Sequence, residues 1–391
     1  MATVAAAFPF IEVRIDTSAL VPVAQRLPGV IAIVGKTAAG VAGGTAATNK
    51  PFVVDTLDQA ADLFAKKNGV VAETDLYRSI KLAMLQDPVP SKIYGVRTDG
   101  DKYAAALAAL EAVDDVTFVS LANESNVGNA AAGGNPSTGL TALKDHVENM
   151  SAQGQKRIGV SMLDPTKGKT NTYVADMSAA VATLKSDTGR MVLIAARGAT
   201  GDAASAAMAA MAGYKPHISM VLKQVRGIQM PKESQYGPSE IKGLSEANID
   251  PIIQSSLIVG DSLRFGEARI FGTDPGLLYI DIVRTLDDID FRLKAGLIGQ
   301  VGDARITKPG MTKLKVRTDE ILDPLRVNSV IADYSIDIPV LNVLSVPDST
   351  WSAADRTLVT DSRANRTVDM FVSVTYGPAV HRLKVTLAPK F

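Results

Sequence analysis

Three short patterns in this chain carry the residue types of known chemistry, and each lacks a part that the chemistry needs. Gly29 to Thr37 reads GVIAIVGKT. A phosphate-binding loop requires glycine, four residues and then Gly-Lys-Ser/Thr, so that exposed amides can cradle the phosphates. Here five residues separate Gly29 from Gly35, and all five are apolar, which is the pattern of a strand buried on both faces. A second Gly-Lys-Thr, Gly168 to Thr170, has Leu163 where the first glycine belongs. His146-Val147-Glu148 has the form of a zinc-deaminase fragment, but its Pro-Cys-x-x-Cys partner cannot exist in a chain without cysteine. A solvent-facing position on a helix is expected for His146. Asp287, Asp288 and Asp290 could bind a metal or exchange protons, yet Arg284, Arg292 and Lys294 are interleaved with them, which reads as a solvated or interface helix face. No Gly-x-Ser-x-Gly elbow supplies a hydrolase nucleophile. The expectation is a protein that is not an enzyme, with no catalytic, metal or cofactor-binding residue assigned and no cofactor required.

Composition narrows the partners. Lys plus Arg equals Asp plus Glu at 41 each, so the net charge is zero, which argues against nucleic acid or an anionic membrane surface as main partner. Zero net charge also does little to keep subunits apart. Without cysteine, disulfides and thiolate chemistry are excluded. The first ten residues lack a basic n-region and no stretch approaches the roughly 20 apolar residues of a membrane span, so neither a signal peptide nor membrane insertion is expected. The expectation is synthesis in the host or producer cytoplasm.

Across most of the chain, strands and helices alternate. Strands are expected at Val30–Val34, Phe52–Val54, Lys92–Arg97, Val116–Leu121, Arg157–Leu163 and Met191–Ala195. Helices are expected at Thr56–Lys67, Glu73–Leu85, Tyr103–Val113, Leu140–Gln153, Thr172–Lys185, Asp202–Ala212 and Pro238–Asn248. Strands spaced by helices imply a mainly parallel α/β sheet. Leu263–Phe271 and Leu278–Val283 read as further strands. Thr285 with Asp288 then has the form of a capping box opening a helix, with Leu286, Ile289, Leu293 and Leu297 on its inner face. That leaves Asp287, Asp288, Asp290, Arg292 and Lys294 free for a partner.

The two ends read as extended arms. Near the start, Ile11, Val13 and Ile15 share one face of an alternating stretch. Near the end, Val368, Met370, Val372, Val374 and Tyr376 share a face, with Phe371 as the exception, and Leu383, Val385 and Leu387 repeat the pattern after Gly377-Pro378. A two-stranded hairpin alone is marginal in water and an exposed apolar edge invites another chain, so these strands are expected to pair between subunits.

The order of pieces resembles the contractile tail sheath family of myophages, R-type bacteriocins and contractile injection systems. The resemblance rests on Pro28–Gly40 followed by Asn49-Lys50-Pro51-Phe52-Val53-Val54, on Leu107–Ser120, on Ala247–Ile252, on Arg264–Pro275, and most specifically on Tyr279–Ile289, YIDIVRTLDDI. It implies compact α/β domains with strand arms exchanged between subunits, stacked hexameric rings in a helical lattice around an inner tube protein, and baseplate and tail-terminator partners. It also implies a single irreversible contraction that drives the tube through a target envelope. The expected division is an N-terminal arm (1–27), a first part of the sheath body (28–122), an outward-facing α/β middle region (123–237), a C-terminal sheath domain (238–366) and a C-terminal strand arm (367–391). The helix carrying Asp287 to Lys294 is the candidate tube-facing element. On the residues alone, a non-contractile shell or filament subunit with swapped strands, and an α/β enzyme with an unrecognised site, stay open as alternatives.

Overall fold

A computed structural model describes residues 29–37, 43–67, 69–255, 258, 260, 262–382 and 384. The expected strand at Ile11, Val13 and Ile15, and Leu383, Val385 and Leu387, lie outside the described residues.

An eight-stranded mixed sheet forms the larger part of the fold. Its first half contains β1 (Val30–Gly35), β2 (Pro51–Val53), α1 (Leu57–Phe64), a small hairpin β3 (Lys66–Lys67) and β4 (Val70–Val71), α2 (Asp75–Met84), β5 (Lys92–Arg97), α3 (Tyr103–Ala109) and β6 (Phe118–Leu121). Next come α4 (Gly139–Ala152), β7 (Ile158–Met162), α5 (Tyr173–Ala180), β8 (Met191–Ala195), α6 (Ala203–Gly213), α7 (Pro238–Glu246), β9 (Asp250–Gln254) and β10 (Leu263–Phe265). The strand order is β10-β9-β8-β7-β6-β1-β5-β2. The six inner strands are parallel, and β2 and β10 close the two ends antiparallel. Strands from both sides of the expected 122/123 and 237/238 divisions share this one sheet.

Side-chain pattern explains the arrangement. Every residue of β1, β6, β7 and β8 is buried, as the continuous apolar runs require of strands covered on both faces. One face packs α1, α2 and α6; the other packs α3, α4, α5 and α7. The alanine-rich α6 is buried on all sides, with Ala203 to Ala212 no more than 2% exposed. Small side chains let it lie close to its neighbours: a β-carbon on Gly29 would meet the Ala212 carbonyl at 2.2 Å. Thr56, Thr74 and Asp202 cap α1, α2 and α6 by accepting from the backbone N–H three residues on.

The sheet manages its edges. Backbone bonds Val225 N–H to Leu263 O (2.9 Å), Phe265 N–H to Lys223 O (3.0 Å) and Leu222 N–H to Phe265 O (3.2 Å) cover the outer side of β10. At the other end, β2 is three residues long and begins with proline, which blunts an edge.

The rest of the chain gives α8 (Ile280–Leu297), α9 (Lys308–Val327), β11 (Asp333–Asp337), α10 (Pro339–Leu344), α11 (Ala353–Asn365) and β12 (Phe371–Thr375). Two compact units result. Among the described residues, the sheet body holds those within Arg26–Phe291, Pro324–Ser335 and Val372–Phe391, and the smaller unit holds Arg292–Asp323 and Ile336–Phe371. The small unit has a cluster of five buried side chains, Met311, Ile338, Val340, Leu341 and Val359, with Leu314, Trp351, Val368 and Met370 partly buried against it.

Several sequence expectations are corrected. Leu278–Val283 is not a strand: a short 3-10 turn at Pro275–Leu277 leads into α8, which starts at Ile280. Thr285 therefore lies inside a helix, where its hydroxyl donates to the Asp281 carbonyl at 2.6 Å, and it caps nothing. The capping box of this form is Ser352 with Asp355, at the start of α11. The expected strand Leu263–Phe271 shrinks to β10 because Ala268 turns the chain with φ of 52°.

Candidate functional site

Three places bear on the sequence reading: the glycine-lysine motifs and His146, for which no chemistry was expected, and the acidic segment of α8 and the C-terminal alternation, which were expected to make contacts. At the first, β1 runs straight through to Gly35, and Lys36 pairs with Asp101 at 2.7 Å and Glu124 at 3.7 Å. His146 is buried, not solvent-facing. Its Nε2 lies 2.9 Å from the Arg157 guanidinium, which also donates to the Leu110 and Val113 carbonyls and so ties down the end of α3. Burial first, and the adjacent Arg157 charge second, hold the His146 imidazole down to about 3. Among the described residues no group of three or more His, Asp or Glu is placed to hold a metal ion.

α8 sets its buried stripe differently from the sequence reading. Ile280, Asp281, Val283, Arg284, Thr285 and Ile289 face inward, while Leu286, expected on the inner face, is exposed. Arg284 is the reason for the rotation. Its guanidinium enters the body, donates to the Met211 and Tyr214 carbonyls at 2.9 and 2.7 Å, and lies 5.3 Å from the centre of the Phe118 ring. It thereby satisfies the carboxyl end of α6, whose last carbonyls have no partner within the helix. Burial pulls its pKa down to about 10.

Asp287 is not free: it accepts from Arg190 at 2.6 Å, and both side chains are nearly buried. Asp288 lines a cavity of about 30 Å³ together with Lys156, Arg284 and Asp287, room for about one water molecule. Asp290 and Arg292 are half-buried and Lys294 is exposed. Sequence reasoning missed Arg190 as the partner of Asp287, and it placed Arg284 at i to i+4 from Asp288 but not inside the body. The signal for Arg284 is its place between Val283 and Thr285 in a run with little other charge before Asp287.

The C-terminal alternation is real. Val368, Met370, Val372, Val374 and Tyr376 are half-buried, and the residues between them, Phe371 included, are exposed. The strand itself is β12, Phe371–Thr375, shorter than the expected Thr367–Tyr376. Among the described residues its partner is β11 of the same chain, in a separate two-stranded sheet. Nor does the alternation lack a surface to pack on. Val368 and Met370 pack on the small unit's cluster, and they line a cleft of about 690 Å³ with Met311, Leu314, Arg363 and Arg366. Tyr376 donates to Asp281 at 2.8 Å, in the first turn of α8. Burial and that bond push its phenol far above the ordinary range.

Solved structures of very different sequence match this chain over nearly its whole length. A chain of the anti-feeding prophage baseplate in the contracted state matches at a TM-score of 0.67 with 13% identity, over 98% of this chain and 99% of that one. The helical sheath of the anti-feeding prophage in the contracted state matches at 0.64 with 12% identity, over 98% and 99%. The contracted PVC sheath complex of an extracellular contractile injection system matches at 0.63 with 13% identity, over 99% and 98%. This chain has the contractile sheath fold. The mixed α/β architecture expected from the alternating strands and helices is therefore that of sheath chains, covered nearly end to end. The sequence itself matches no family model and no curated protein.

Proposed function

We propose that the chain is the structural subunit of a contractile sheath, and that it works by assembly without covalent chemistry. The observation that supports this reading most is the two-way coverage. The matches cover at least 98% of this chain and of the contracted sheath and baseplate chains. In this reading, subunits stack as hexameric rings in a helical lattice around an inner tube, meet baseplate and terminator proteins at the ends, and contract once. The particle is a phage tail or a related injection system. The faces of Ile11, Val13 and Ile15, of Val368 to Tyr376, and of Leu383, Val385 and Leu387 pair between subunits. Residues 123–237 face outward. Of the acidic and basic side chains of α8, Asp288, Asp290, Arg292 and Lys294 meet the tube, and Asp287 is reserved for Arg190.

Contraction then draws on lattice energy alone. At about 25 cal/mol per Å² of apolar area, a few hundred Å² of extra burial per subunit amounts to several kcal/mol before ordering costs. Electron microscopy of the purified protein is the test. Tubes with sixfold rings are expected, whereas closed shells, or small oligomers at every concentration, would overturn the reading.

A further inference from the structure

The residues just after β12 lie in a receiver built by three separate segments of the sheet body. Tyr376 reaches Asp281, which is 3% exposed. Five residues on, the His381 ring meets Tyr279 edge-on, with centroids 4.7 Å apart and planes at 88°, and its Nε2 lies 3.0 Å from Ser219 Oγ. Arg382 then donates to Glu267 at 2.6 Å. Between these fastenings, Gly377 to Val380 is exposed, with Val380 at 80%.

The receiver is stiff. Glu267 is held on its other oxygen by Arg269 at 2.7 Å, and Arg269 donates in turn to the Ser245 carbonyl at 2.8 Å. The backbone N–H groups of Glu267 and Ala268 both donate to the buried carboxylate of Asp250, at 3.0 and 2.9 Å. Ala268 N–H is thus fixed where its carbonyl accepts from Ile280 at 3.2 Å, which joins this turn to the start of α8. Three unlike contacts, a buried phenol–carboxylate bond, an aromatic stack with a hydroxyl, and a charge pair, converge on seven consecutive residues. A tail that merely lay on the surface would need none of them.

We propose that residues 376–382 form a strap, seated on Ser219, Glu267, Tyr279 and Asp281, that holds this end of the described chain in one place on the body and so makes the chain competent to join a second copy of itself. The strap rests on the sheath-subunit reading for its partner but not for its seating. An arm that must find one strand on one neighbour loses less freedom on pairing if its root is already fixed, because ordering a segment at the moment of binding costs affinity. The strap is therefore a pre-organising device for assembly.

The chain has no cysteine, so Val380→Cys carries a single spin label at an exposed site. In that background, R382E with H381A is expected to raise label mobility and to raise the concentration needed for polymerisation by tenfold or more. Adding E267R to R382E alone, with His381 kept, is expected to restore both. The thermal midpoint of the body is expected to stay within error in the R382E, H381A chain, where Arg382 is exposed; E267R, which also takes a partner from Arg269, is read by label mobility and polymerisation alone. A label equally mobile before and after the substitutions would overturn the seating. A freed strap with unchanged polymerisation would overturn its role in assembly. A parent chain that never polymerises overturns the sheath reading on its own, and label mobility then decides the seating by itself.

Discussion

The sheet body and the small unit are built on opposite terms. In the body, apolar clusters fill both faces of one sheet, and its central strands and α6 are close to fully buried. In the small unit, five buried side chains carry the cluster, a cleft of about 690 Å³ opens beside them, and Ile298, Val301, Val316, Val346 and Phe371 are exposed. Burial per residue decides whether a region stands by itself. The body meets that condition with its own side chains; the small unit leaves apolar surface uncovered, as a region does when a neighbour completes it.

The largest expected effect tests the independence of the two. Ile33→Ala, at the centre of β1, should cost about 4 kcal/mol, and Met311→Ala in the small unit about 2 kcal/mol. The single tryptophan, Trp351, lies against the small unit's cluster, so its fluorescence reports that unit while far-UV circular dichroism reports mainly the body. Ile33→Ala should move the dichroism transition and Met311→Ala the fluorescence one. Two transitions that always move together would break the comparison.

Next in size is Asp287→Lys. Leaving Arg190 without its partner in a nearly buried site should cost about 3 kcal/mol, whereas Lys294→Glu, at an exposed site, should stay within about 0.5 kcal/mol. Denaturant midpoints of the two variants separate them. A harmless Asp287→Lys would return this residue to the candidate contact face.

The pH dependence of the body should have two opposed parts. Folding holds His146 near 3, well below the unfolded value of 6.5, so the unfolded chain takes up the proton first. Stability is therefore lost as pH falls from 6.5 toward 3. Asp250 has the opposite sign. Burial raises it to about 7 from 3.8, so the stability it contributes is complete below 3.8 and is lost as pH rises toward 7. Each slope is worth a few kcal/mol at most. His146→Gln should flatten the acid side of the curve and Asp250→Asn the neutral side, as read by chemical unfolding at a series of pH values. An unchanged curve in either variant would remove that residue from the account.

The smallest expected effect is at Phe371. Replacing it with Ser should leave the unfolding midpoint within about 0.5 kcal/mol, yet weaken polymerisation if the outer face of β12 meets a neighbour.

Much of the body was legible because a doubly covered sheet writes itself as apolar runs. Lys92–Arg97 and Met191–Ala195 were placed to the residue, and the buried helices fell within a few residues of their ends. What escaped had a physical reason. Strand β9 opens with Asp250-Pro251, a polar and N–H-poor start that hides an inner strand. The segment Leu278–Val283 is apolar enough to suit either a strand or the first turn of a helix, and only the buried Arg284 decides between them. Strand β11 alternates Asp333, Tyr334, Ser335, Ile336 and Asp337 with too little apolar weight to stand out. The C-terminal alternation was legible as a pattern, but its partner was not, because periodicity fixes which face a side chain takes and not which strand lies beside it.

The closed ends of the large sheet carry a last consequence. With β10 covered by the Leu222–Val225 backbone and β2 cut short behind a proline, the large sheet, among the described residues, offers no row of free amides long enough to template a fibre. A concentrated stock should therefore stay clear of thioflavin-positive, cross-β aggregates. Whatever order it develops should come from geometry specified at the surface of the subunit, not from the generic stickiness of a β-sheet.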